Sequence, residues 1–143
     1  MIPSINSVIK KDIDGKWISQ TLKLNNNQIE DISTLPIVVY ELLGDTSNLT
    51  WLDLSCNNIP SIPNVNCSLF LLSILAQSFS SLKRLKIIYM HGNKIATFQE
   101  VIKLRQLPKL TKLTLHGNPI EKEKVILYVS SQRQPVITVV PFF

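Results

Sequence analysis

What this chain lacks narrows its function before any motif is considered. Only two cysteines, Cys56 and Cys67, occur in 143 residues, which is far from a disulfide-stapled extracellular scaffold. No basic-then-apolar leader with a small-residue cleavage site opens the sequence, so a reducing, cytoplasmic setting is expected. Long apolar runs are missing too. The most apolar stretch, Leu69 to Phe79, is about half the length that a membrane-spanning helix needs, so no membrane is expected as a partner. Aromatics are scarce at 7%, and 10 acidic side chains against 15 basic ones leave a net charge of +5. The basic residues are scattered, with modest groups at Lys10 and Lys11, Lys83 to Lys86 and Lys103 to Lys112, none interleaved with aromatics. That pattern disfavours direct nucleic-acid binding. No nucleophile elbow, phosphate loop or paired-carboxylate signature is present. Asp12, Asp14 and Gly15 start like a calcium loop without its glutamate. The expectation is therefore a protein that is no enzyme and has no cofactor.

What the chain does have is a core-forming composition, 45% hydrophobic and 17% charged, in a length suited to one domain of roughly four to six repeat units. Internal repetition decides the fold. Four segments share one template: Leu, two variable residues, Leu, one variable, Leu, two variable, Asn, one variable, Ile. Leu49 to Ile59 (LTWLDLSCNNI) and Leu110 to Ile120 (LTKLTLHGNPI) match at every fixed position. Leu85 to Ile95 (LKIIYMHGNKI) substitutes Ile88 and Met90, and Ser19 to Ile29 (SQTLKLNNNQI) loses the first apolar position.

The pairs Leu22/Leu24, Leu52/Leu54, Ile88/Met90 and Leu113/Leu115 alternate with period two, so they line one face of short strands. A sharp turn must follow each strand. There the side-chain amides of Asn27, Asn57, Asn93 and Asn118 are placed to satisfy backbone groups of their own and adjacent coils, forming an internal ladder. The Ile at the template's end plugs the core below. Because one unit cannot cover its own apolar face, the copies must stack and the ends need caps.

Between the strands, Leu35 to Leu43 (LPIVVYELL) and Phe98 to Leu107 (FQEVIKLRQL) carry apolar residues three and four apart, predicting short helices on the convex side. The ladder asparagines are separated by 30, 36 and 25 residues. The middle spacing is too long, and its excess lies in an apolar insert at 63–81. It reads as a longer convex helix over Leu69 to Leu75, with a degenerate extra coil or an insertion that does not pack well as the alternatives. Residues 1–17 form a lead-in that covers the first repeat, 18–120 carry the repeats, and 121–143 form a C-terminal cap, a helix over 121–132 followed by a strand-like edge within 135–140.

The four copies resemble the leucine-rich repeat family of the intracellular type, and MHGNKI (Met90 to Ile95) followed by LRQLPKLTKLTLHGNPIEKEK (Leu104 to Lys124) and Tyr128-Val129 carries the resemblance furthest. It implies an α/β right-handed solenoid, a short horseshoe with a concave parallel sheet and convex helices or irregular segments. It also implies a non-catalytic, monomeric scaffold or adaptor that binds a protein partner on the concave face. Related members act in axonemes and in spliceosomal particles, so a ciliary adaptor, or a subunit binding an RNA-recognition protein, stands as the alternative.

Equivalent variable positions then form rows across the concave face: Thr21, Trp51, Ile87, Lys112; Lys23, Asp53, Tyr89, Thr114; and Asn25, Ser55, His91, His116. Trp51 and Tyr89 are the expected anchors, since aromatics dominate interface energies. Lys23, Asp53 and Lys112 would set register and specificity. Ile87, His91 and His116 complete the expected contact surface. The two histidines could supply half of a zinc site, but no acidic residue or Cys in their row completes it. Turn chemistry is the simpler account of the repeated His-Gly-Asn, with Gly92 and Gly117 permitting the bend, and no metal is expected. Cys56, in the turn after a strand, is expected to be small and buried.

Overall fold

The computed structural model describes residues 21–43, 45–63, 81–122 and 138–139. The template segments become strands of three residues each: β1 (Thr21–Lys23), β2 (Trp51–Asp53), β3 (Ile87–Tyr89) and β4 (Lys112–Thr114). A fifth strand, β5 (Thr138–Val139), completes a parallel sheet in the order β1-β2-β3-β4-β5. Strand order that follows chain order, with every pair parallel, is what a solenoid produces. The central residues Leu22, Leu52, Ile88 and Leu113 are in register and almost wholly buried. Each such side chain is worth about 1.5–3 kcal/mol of burial. Leu24, Leu54, Met90 and Leu115, two residues on, are buried in the same core.

β2, β3 and β4 are entered through one kind of turn. Leu49 N–H donates to Thr46 O at 3.3 Å, Leu85 to Leu82 O at 3.1 Å and Leu110 to Leu107 O at 3.3 Å. β1 to β4 are each left through a left-handed residue, at Asn26 (φ 59), Cys56 (φ 54), Gly92 (φ 66) and Gly117 (φ 71). That conformation aims each N–H sideways at the next coil. Asn26 N donates to Ser55 O at 3.1 Å, Cys56 N to His91 O at 2.8 Å and Gly92 N to His116 O at 2.8 Å. The coils approach so closely here that a Cβ on Gly117 would lie 3.3 Å from Gly92 N. Cys56 overturns the expectation of a small buried residue: its thiol is free and exposed. Leu54, Ser55 and Asn57 around it are buried, but the left-handed bend turns this one side chain outward.

The asparagine ladder runs through the bends. Asn57 Nδ2 donates to Leu24 O and Leu54 O, both at 2.9 Å, while its Oδ1 accepts from Asn27 N at 2.9 Å and Ile29 N at 3.0 Å. Asn93 Nδ2 donates to Leu54 O and Met90 O, and its Oδ1 accepts from Ile59 N at 3.1 Å. Asn118 repeats the arrangement with Met90 O, Leu115 O and Ile95 N. Asn27, in the first described coil, bonds through its amide to Asn25 O at 3.1 Å. Ile59 and Ile95 are fully buried beneath the bends.

On the convex side lie α1 (Leu35–Leu43) and α2 (Phe98–Ile102), the latter tightening into a 3-10 turn over Lys103–Gln106. Leu35, Val39, Val101 and Leu104 face the core. Glu100 ties α2 to the coil before it, accepting from Ile62 N and Lys103 Nζ at 2.7 Å each. Burial opposes the charge of Glu100, but these donors outweigh it and hold the carboxyl below the usual glutamate range. After β4 the chain forms a 3-10 turn over Pro119–Lys122. The lead-in at 1–17, the interior of the insert at 63–81 and the helix expected over 121–132 beyond residue 122 lie outside the described residues. Among the described residues no helix is long and apolar enough to cross a membrane.

Candidate interaction face

The face opposite the buried leucines is built by parallel pairing alone. Thr21, Trp51, Ile87 and Lys112 stand side by side, and Lys23, Asp53, Tyr89 and Thr114 form the next row. Strand spacing of about 4.8 Å brings neighbouring side chains into contact.

The expected anchors meet: the Trp51 and Tyr89 rings lie 5.4 Å apart at 78°, edge to face, the geometry preferred by the ring quadrupoles. Lys23 Nζ sits 5.4 Å above the Trp51 ring and Lys112 Nζ 5.6 Å above the Tyr89 ring. The two ammoniums thus flank the pair as cation–π partners, each such contact being worth about 0.5–1 kcal/mol at an exposed site. Tyr89 leads on to His91 at 6.1 Å, and His91 stacks on His116 at 4.4 Å and 9°. Four aromatic rings therefore run diagonally across three coils. Trp51, Tyr89, Ile87, His91 and His116 are half-buried, and Lys112 is exposed.

Two members behave differently from a bare surface residue. The Asp53 carboxylate accepts from both Ser55 N at 3.0 Å and Ser55 Oγ at 2.6 Å, so it shapes the exit from β2 as well as facing outward. Ser55 itself is the one buried member of the third row, whose Asn25, His91 and His116 are half-buried. Thr114, which sequence reasoning placed in a row without giving it a role, is buried, and its Oγ1 lies 3.1 Å from His91 Nδ1. Burial, reinforced by the neighbouring His116 and opposed by Asp53, holds His91 below the ordinary histidine range. Among the described residues no three His, Cys, Asp or Glu side chains converge as metal ligands.

Comparison with known proteins fits this architecture. Residues 48–82 match the model of the Leucine Rich Repeat. Leucine-rich repeat-containing protein 51 of Rattus norvegicus is 43% identical over 116 residues, 81% of this chain and 54% of that protein. Its Homo sapiens counterpart is 42% identical over the same shares. The chain belongs to the leucine-rich repeat family. It spans about half the length of these curated relatives. Among solved structures, the Drosophila melanogaster SNF/U2A' complex contains a chain 18% identical, with a TM-score of 0.51 over 83% of this chain and 68% of that one. That likeness concerns the fold of a leucine-rich repeat protein.

Proposed function

We propose that this leucine-rich repeat chain is a non-catalytic adaptor that binds a protein partner on the concave face of its sheet, in a reducing compartment. The observation that carries the reading is the Trp51–Tyr89 pair, held edge to face between two lysines in the middle of that face. Rigid aromatics flanked by charge are the usual composition of an energetic centre in a protein interface. The Trp51 indole N–H is shielded and finds no acceptor among the described residues, an arrangement costing about 1–3 kcal/mol. A sheet selected for stability alone would do better with an aliphatic residue there. Local departures from the stable choice are expected where a surface serves recognition. The free thiol of Cys56 supports the reducing setting.

The test is affinity capture from cell lysate with the intact chain, the Trp51→Ala/Tyr89→Ala variant and a convex-face control, Tyr40→Ala. The expected result is an unchanged circular dichroism spectrum in all three, with capture lost only in the double variant. Capture that persists in the folded double variant removes the concave face from consideration.

A further inference from the structure

The partner's chemistry can be narrowed by a feature beside the aromatic face. The strand-entry turns of β3 and β4 place Lys83, Arg84 and Lys86 on one coil and Lys109 and Lys112 on the next, all five exposed. Residues 83–84 and 108–109 are the tips of equivalent turns. Lys86 and Lys112 are joined by the backbone, since Lys86 O accepts from Thr111 N at 2.8 Å and Lys112 N at 3.0 Å. None of the five has an ion-pair partner among the described residues, where the one ion pair is Lys103 with Glu100 on the convex side. Asp45, at the preceding strand-entry turn, is engaged by Ser47 N at 2.8 Å and Ser47 Oγ at 2.6 Å. Coils about 4.8 Å apart lie well inside a Debye length at physiological salt, so the five positive fields add.

We propose that the concave face receives an acidic protein segment, whose carboxylates lie along this basic rim and whose apolar side chains rest on Trp51 and Tyr89. The inference rests on the reading that the concave face binds protein. Lys112 joins the two surfaces, being part of the rim and also lying over the Tyr89 ring. A nucleic-acid strand fits less well. Stacking of bases needs open ring faces, and here Lys23 and Lys112 lie over the Trp51 and Tyr89 rings while the rings meet edge to face. Carboxylates are matched to both lysines and rim without displacing either.

Fluorescence anisotropy with the full chain tests this against three labelled probes: a short peptide alternating Glu with Leu and Phe, its Gln counterpart, and a single-stranded RNA of similar length. The Glu peptide is expected to bind, the Gln peptide to bind far more weakly, and added salt to weaken the Glu complex. Lys83→Glu/Arg84→Glu/Lys86→Glu/Lys109→Glu, with its fold checked by circular dichroism, is expected to lower Glu-peptide affinity about tenfold or more at low salt. Affinity unchanged by the reversal, or RNA bound more tightly than the Glu peptide, overturns the proposal. If lysate capture survives the rim reversal but not Trp51→Ala/Tyr89→Ala, the acidic-segment inference fails and the concave-face reading stands. If the aromatic variant keeps both capture and peptide binding, the concave-face reading is the one that fails.

Discussion

Replacing Asn57 by Ala should destabilise the chain strongly, because its side chain serves the backbone of the coil before it. The Asn57 side chain is the recorded partner of three backbone groups in the preceding coil: Leu24 O, Asn27 N and Ile29 N. Its two partners in its own coil, Leu54 O and Ser55 O, keep bonds from Asn93 Nδ2 at 2.9 Å and from Asn26 N at 3.1 Å. A buried backbone group left without a partner costs about 1–3 kcal/mol. The Leu24 O contact is buried, whereas the two N–H contacts are only part-buried and water can recover some of their loss. The expected total is about 3 kcal/mol, a large share of the roughly 5–15 kcal/mol that stabilises a domain. Urea unfolding followed by circular dichroism measures the loss. A cost under about 1 kcal/mol, that of a single ordinary hydrogen bond, would refute the claim that the ladder works by satisfying the neighbouring coil.

Further outcomes are expected at Gly92, Cys56 and His91. Gly92→Ala forces a Cβ into a left-handed position 3.3 Å from Cys56 Sγ and should cost about 1–2 kcal/mol. Cys56→Gly relieves the same conformation at φ 54 and should leave melting temperature unchanged or higher, while native Cys56 should react rapidly with a thiol reagent. Because His91 titrates below the ordinary histidine value of 6.5, its neutral form is favoured in the fold. Stability is therefore complete above about pH 6.5 and falls as the solution is acidified through the lowered value. Thermal melts from neutral to mildly acidic pH should show this decline, and His91→Gln should flatten it. A decline of the same size in His91→Gln would assign the effect to other groups.

The strands, their register and the ladder were legible because each rests on a short-range rule. Period-two leucines fix the buried side, and an Asn at a constant offset fixes the bend, so the rows of Trp51, Tyr89 and their neighbours follow by counting. The outward turn of Cys56 was not legible. Residue type argues for burial of a cysteine, while the left-handed bend that overrides it shows in sequence as glycine in only two of the four copies. The stacking of His91 on His116 follows from their shared row, but the contact of buried Thr114 with His91 crosses from one row to the next and is not read off by counting. The charged rim was hidden for a different reason. Lys83 to Lys86 and Lys109 to Lys112 are separate minor groups along the chain, and only stacking at a 25-residue interval puts them together.

The direction of the asparagine bonds bears on how the protein is made. The amides of Asn57, Asn93 and Asn118 reach back to the coil before them, so Leu24 O, Asn27 N and Ile29 N find their partner in a residue 28 to 33 positions later. On the ribosome, a coil stays open until its successor has been synthesised. The order of translation is thus also the order in which the coils are locked, each one sealed by the next to emerge.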